Sequence, residues 1–243
     1  MSEPVRLSKI MSHRGLCSRR EADDLIAKGL VMVDGVVVSQ LGTKVLPDVH
    51  IEIAGRAQKI LDNKATILIN KPIGFVSSQP EDGHKAAVEL VRADTQDPGD
   101  IRRFDFRDLR GLAPAGRLDI DSQGLLIMTQ DGVIAKKIIG ENSDVEKEYL
   151  VRVAGELSDA ELRRLSDGSL VIEGRQLRPA RVEWLNEDQL RFVLQEGMKR
   201  QIRKMCEAVG LRVIGLKRVR VGKIMLGKLA EGQWRYLRRD EDI

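Results

Sequence analysis

The residues able to do chemistry in this chain are concentrated in one stretch, Gly116-Arg117-Leu118-Asp119-Ile120-Asp121-Ser122-Gln123-Gly124-Leu125-Leu126-Ile127-Met128-Thr129-Gln130-Asp131-Gly132. The sequence has no G-x-S-x-G elbow, no phosphate loop of the G-x-x-x-x-G-K type and no G-x-G-x-x-G. His13, His50 and His84 are scattered without ligand spacing, and Cys17 and Cys206 have no C-x-x-C partner, so no metal site is expected. Any reaction therefore falls to carboxylate, Tyr, Lys or Arg. On composition, Asp119 suits a turn or a helix cap. Asp121, before Ser122-Gln123-Gly124, reads as fixing a turn, and Asp131-Gly132 as a turn leading into a helix. Gly116 and Gly124 read as backbone requirements rather than ligand contacts.

These residues need a scaffold, and the hydrophobic pattern supplies one. Residues 1–60 read as a small unit: an amphipathic stretch from Leu7 to Ser12, a helix from the capping box Ser18-Arg19-Arg20-Glu21 to about Gly29, and a hairpin turning at Asp34-Gly35. A short strand at Val49–Ile53 completes it, and residues 54–64 read as a linker. Beyond it, Ile67–Ile69, Leu125–Met128, Tyr149–Val153, Arg181–Trp184, Leu190–Leu194 and Leu211–Ile214 read as strands. Helices fit Gly132–Ile139, Asp159–Ser166 and Lys199–Val209, and residues 92–113 read as an exposed loop. Strands outnumber helices without regular alternation. The expected class is α+β: a small N-terminal α/β module (1–60) and a mostly antiparallel mixed-sheet domain (61–243).

Composition narrows the partner. The 243 residues carry 41 Lys+Arg against 37 Asp+Glu, and no apolar run reaches membrane-span length. Two cysteines and no signal-peptide pattern point to a reducing cytoplasm. Charge is unevenly spread: Arg6 to Arg20 contains no acid, and between Lys199 and Arg239 only Glu207 and Glu231 oppose a dense basic run. Two such segments in one chain favour a polyanion partner.

Arg6-Leu7-Ser8-Lys9, Gly15 to Ala22 and Gly29 to Gly35 resemble the S4-type RNA-binding domain found at the front of RNA-modifying enzymes. The stretch around Asp119 resembles the active-site motif of pseudouridine synthases, in particular the RsuA family that modifies ribosomal RNA. Asn70-Lys71-Pro72-Ile73-Gly74, Glu146 to Val151, Gln195 to Met205 and Gly232 to Leu237 match further motifs of that family in order. The resemblance implies conversion of a uridine to pseudouridine, with no cofactor and no metal. It implies Asp119 as the catalytic carboxylate, with Arg203 as the cation that favours its ionised form and Tyr149 as the ring that packs on the flipped base. Arg117 would fill the gap left by that base. On this reading Arg6, Lys9, Arg19, Arg20, Arg117, Lys199, Arg200 and Lys204 contact RNA. In Lys199–Val209, Ile202, Met205, Cys206 and Val209 form the buried stripe, which leaves Arg203 able to lean into a cleft. The loop Asn70–Gly74 is expected to shape the cleft without chemistry. The expected substrate is large-subunit (23S) ribosomal RNA or a pre-ribosomal particle, acted on by a monomer. The alternatives are a small-subunit enzyme and a non-catalytic RNA-binding assembly protein. An RNA methyltransferase would need a glycine-rich adenosylmethionine loop, which is missing.

Overall fold

In the computed structural model, which describes residues 3–78 and 83–243, two short helices open the chain. Helix α1 (Leu7–His13) buries Leu7, Ile10 and Met11. Helix α2 (Arg19–Ala27) starts at the expected capping box: the Ser18 hydroxyl accepts from the Glu21 N–H at 3.3 Å, and the Glu21 carboxylate accepts from the Ser18 N–H at 2.7 Å. Strands β1 (Val31–Val33) and β2 (Val36–Val38) turn at Asp34 and Gly35, whose φ values of 50° and 80° are those of a type I′ hairpin. Strand β3 (Ile51–Ile53) pairs with β1. These elements share a core of Leu7, Met11, Cys17, Ala22, Ile26 and Val31. The segment expected as a linker contains a helix, α3 (Gly55–Asp62), which buries Ala57 and turns Leu61 onto the same core. Its Arg, Ala, Gln, Lys and Leu residues are strong helix formers, and two apolar anchors suffice to hold it.

The remaining chain builds one nine-stranded sheet. Its long path uses β4 (Thr66–Lys71), β5 (Gln123–Thr129), β6 (Lys147–Ala154), β7 (Arg181–Asn186), β8 (Gln189–Leu194), β9 (Arg212–Val221) and β10 (Trp234–Tyr236), in the order β7-β8-β6-β9-β5-β4-β10. Two-residue strands at Ala113–Pro114 and Ile224–Met225 pair with β5 and β9. Helices α4 (Gly132–Ile139), α5 (Asp159–Ser166) and α6 (Gln201–Glu207) lie near the expected positions. All pairings in this sheet are antiparallel except β5 with β9. The expected α+β class with a mostly antiparallel mixed sheet is what the chain forms.

That single parallel junction divides the sheet. On one side β4 and β5 are covered on both faces: Leu68, Leu125 and Ile127 enter one core, while Ile67, Ile69, Leu126 and Met128 enter another with Trp234. On the other side β6, β8 and β9 are apolar on one face only, where Val151, Val153, Phe192 and Leu216 meet Ile202, Met205 and Cys206 of α6. The opposite face carries an ion-pair network: Glu148 bonds Arg191 (2.9 Å) and Arg220 (2.8 Å), which hold its carboxyl below its ordinary value. Residues 92–113 form turns rather than a free loop, with Phe104, Leu109 and Leu112 packed against the Trp234 core. Phe104 meets the Trp234 ring edge-to-face.

The junction requires a glycine. Gly124 lies opposite Arg218 with φ of 103°, and a Cβ there would stand 2.2 Å from the Arg218 carbonyl oxygen and 2.9 Å from its nitrogen. Gly124→Ala is expected to cost about 3 kcal/mol from backbone strain and overpacking, lowering Tm by roughly 6–12 °C in a calorimetric melt. An unchanged Tm would show that the strands can separate here without penalty.

Candidate active site

Asp119 stands on the turn that feeds β5, where the Ser122 N–H donates to the Asp119 carbonyl at 3.1 Å. The loop after β4 supports this turn. Ser77 Oγ donates to the Leu118 carbonyl (2.7 Å) and accepts from its N–H (2.8 Å), and the Gly74 N–H donates to the Ile120 carbonyl (2.8 Å). That loop is in turn folded around Lys71, the last residue of β4. Its ammonium is buried and donates to the Pro72 and Phe75 carbonyls at 2.8 and 2.9 Å. Burial pushes Lys71 down to about 8, while the nearby carboxylates of Asp121 and Asp119 oppose that shift. Sequence reading assigned this segment no chemistry. The signal was an uninterrupted apolar strand ending in Asn-Lys-Pro, where a lysine has no solvent to reach.

A second buried cation holds the other side of the turn. Arg218 of β9 donates through Nε to the Leu125 carbonyl (2.7 Å) and through its terminal nitrogens to the Gly116 (3.2 Å) and Arg117 (3.3 Å) carbonyls. Its partners are all backbone oxygens, so Arg218 fixes the path of the chain around Asp119. Composition had placed it in the basic run as one charge among many.

Across the cleft, α6 begins at Arg200, which holds a left-handed backbone with φ of 56°. For a residue with a side chain this costs roughly 1–2 kcal/mol and persists only where surrounding contacts impose it. Those contacts are visible. Arg200 reaches both Asp121 carboxylate oxygens at 3.1 and 3.0 Å, and Gln201 accepts from the Met198 N–H at 2.9 Å. Arg203 donates to the Asp121 carbonyl at 2.8 Å and lies 3.2 Å from its carboxylate. The expected Arg203–Asp119 pair is therefore not the one formed: both arginines converge on Asp121, whose role exceeds fixing a turn. Among the described residues, Asp119 makes no ion pair.

Asp119, Tyr149 and Arg203 nevertheless line one cleft, together with Arg117, Lys199, Arg200 and Ser122. Tyr149 is half-buried on β6. A bulge in β9 pairs Glu148 with Arg220 and Tyr149 with Arg218, an extra residue that bends the strand where the tyrosine faces the cleft. Arg117 and Tyr149 also border an adjoining depression with Arg175 and Arg178, two cations that sequence reading did not select. Among the described residues, the Ser122 hydroxyl and Arg203 Nε are buried without a partner beside the cleft. Of the other expected RNA contacts, Lys204 is paired with Glu173 at 2.6 Å. Arg6, Lys9, Arg19 and Arg20 are exposed on the N-terminal unit, away from the cleft lining, and form no ion pair among the described residues. Among the described residues, no group of His, Cys, Asp or Glu is able to hold a metal and no helix is long and apolar enough to cross a membrane.

Comparison with known proteins places these features in a family. A model described as RNA pseudouridylate synthase matches residues 65–208, and one described as S4 domain matches residues 5–51. An uncharacterised RNA pseudouridine synthase of Aquifex aeolicus is 36% identical, over 98% of this chain and 92% of its own length. The dual-specificity RNA pseudouridine synthase RluF of Escherichia coli (strain K12) is 34% identical, over 98% of this chain and 77% of its own. A solved pseudouridylate synthase structure superimposes with a TM-score of 0.65 at 25% identity, covering 96% of both chains.

The buried lysines around the cleft give stability a pH dependence. Burial lowers Lys71 and Lys147 to about 8, whereas both keep their proton to about 10.5 when unfolded. Above pH 8 the unfolded chain therefore binds more protons than the folded one, and stability rises with pH. The rise is clearest from pH 8 to 9; Cys17 and Cys206, which lose their protons near 9 when unfolded but only near 11 and 12 when buried, act in the opposite direction and increasingly so above pH 9. Urea melts are expected to show a gain on the order of 1 kcal/mol over that interval, reduced by more than half in Lys147→Met. A flat profile in the wild type would contradict the burial of both ammonium groups.

Proposed function

Because the chain belongs to the RNA pseudouridylate synthase family, we propose that it isomerises a uridine of ribosomal RNA, in the large subunit, with Asp119 as the essential carboxylate. The observation that carries the proposal is the gathering of Asp119, Tyr149 and Arg203 in one cleft from three distant segments, with Arg117 at its edge. Residues 61–243 would form the catalytic domain and residues 1–60 the RNA-binding module, working as a monomer in the cytoplasm. The resemblance of Met198–Glu207 to the corresponding motif of large-subunit enzymes favours the large-subunit target, and the similarity to RluF agrees with an RNA-isomerising activity.

The reaction breaks the bond between the sugar C1′ and N1 of uracil, turns the base and joins C1′ to C5. N1 gains a proton and C5 loses its hydrogen to solvent, so the product is an isomer and no cofactor is consumed. Asp119 would act on the target nucleotide either by attack or by removing a sugar proton. The target base is stacked in folded RNA, so it has to be turned out, and the Tyr149 ring offers a face that offsets part of the lost stacking. Arg117 would occupy the vacated position. Arg203, on the helix wall, supplies positive charge near Asp119 and the phosphates. Its tie to Asp121 keeps the guanidinium in the cleft when no RNA is bound.

Ribosomal RNA transcripts labelled with tritium at C5 of uridine test this directly. Wild type is expected to release tritium from the large-subunit transcript and Asp119→Asn to do so at least about 10³-fold more slowly, with RNA binding retained. Equal release by the variant would remove Asp119 from the mechanism. Release from the small-subunit transcript alone would reassign the substrate.

A further inference from the structure

The seam between the N-terminal unit and α4 is built more tightly than a tether requires. Lys64, whose side chain is 11% exposed, lies 2.5 Å from Glu21 and 3.5 Å from Asp131. Glu21 is the capping-box carboxylate of α2, and Asp131 is the N-cap of α4, accepting from the Val133 N–H at 2.8 Å. One ammonium thus joins the N-termini of two helices from different parts of the chain, each of which also favours its own carboxylate through the helix dipole. Beside it, a Cβ on Gly132 would stand 2.3 Å from Ser18 Cβ and 2.7 Å from its hydroxyl. Gly132 does not have a positive φ, so its backbone does not call for glycine. The approach of Ser18 does. One turn further along α4, Lys136 Nζ reaches the Ser12 hydroxyl and carbonyl at 3.4 and 3.5 Å.

The two ends of α4 face different business. At its start lie Ser18 and then Arg19 and Arg20, the exposed cations that open α2. At its end, Ile139 packs beneath Gly116, where a Cβ would come within 3.2 Å of it, next to Arg117 of the cleft. Eight helical residues span about 12 Å, so the seam sets a fixed separation between the cations of the module and the cleft. Two sites held at a fixed separation bind a ligand that reaches both with a high effective concentration, and lose that gain when geometry is released.

We propose that the Lys64–Glu21–Asp131 and Gly132–Ser18 contacts form a clamp that selects folded RNA long enough to touch module and cleft together, with Lys64 and Gly132 as specificity-determining residues. This rests on the RNA-isomerase reading above for the nature of the ligand. An RNA that fills only the cleft gains nothing from the clamp, whereas one that spans it is held by both surfaces.

The test uses the full chain with Lys64→Met and, separately, Gly132→Ala. The second also improves helix propensity in α4, so released docking does not coincide with a weakened helix. Binding to an intact large-subunit transcript and to short fragments made from it by partial hydrolysis is measured, alongside the radius of gyration of the RNA-free protein by X-ray scattering. Both variants are expected to expand, to bind the intact transcript at least about tenfold more weakly, and to bind the fragments within twofold of wild type. Equal losses on both RNAs, an expanded protein that binds the transcript normally, or a protein that stays closed in both variants would each overturn the clamp. The binding arm requires no turnover, so an absence of tritium release would count against the isomerase reading alone.

Discussion

The close approach of β5 and β9 is the contact from which the rest of the cleft follows. These two strands run parallel in a sheet whose other pairings oppose each other, and they meet where Gly124 leaves no side chain against the Arg218 backbone. Because the strands run the same way, the turn that precedes β5 stands next to the middle of β9. Asp119 therefore lies on one side of the junction, while Tyr149, one strand beyond β9, lies on the other. A junction held apart by one methyl group would move the two halves of the cleft relative to each other. The long Arg218 side chain adds to this constraint by bonding the Leu125, Gly116 and Arg117 carbonyls, so a strand residue fixes the turn in which Asp119 sits.

Charge around the cleft is arranged in layers. Lys71 and Arg218 are buried and spend their donors on backbone oxygens, which makes them part of the framework while leaving positive charge beneath the carboxylates. Arg200 and Arg203 are nearer the surface and share Asp121. Arg117 and Lys199 line the cleft without an ion pair among the described residues. This gradation suits a site that takes a polyanion: fixed inner cations set geometry, and outer ones remain available for phosphates. The left-handed Arg200 shows that the chain bears local strain to keep that outer pair in place.

Much of this was legible in the sequence where the determinants are local. Ser18 and Glu21, Ser158 and Glu161, and Asp34-Gly35 specify their caps and turn through groups three residues apart or fewer. The stripe Ile202, Met205, Cys206 and Val209 placed α6 correctly against the core. What escaped notice depends on distant partners. Strand β9 runs to Val221 rather than ending near Ile214, because Lys217, Arg218 and Arg220 make a strand look like a basic loop until the carbonyl partners of Arg218 and the carboxylate partners of Arg220 are known. Strand β10 buries Trp234 only because β4 and residues 92–113 fold over it. Likewise, the choice of Arg203 between Asp119 and Asp121 is set by how α6 sits against the turn before β5, which spacing along the chain does not encode.

The central claim is that one uridine enters the cleft bounded by Asp119, Tyr149 and Arg203. It is tested most directly by a crystal structure of the protein with ribosomal RNA carrying 5-fluorouridine, in which a carbon–fluorine bond at C5 blocks the final proton loss and holds the base in place. The account predicts the fluorinated base turned out of its helix, its ring against Tyr149 and its ribose within reach of the Asp119 carboxylate. A fluorinated base bound elsewhere, or still stacked in the RNA with the cleft vacant, would contradict it.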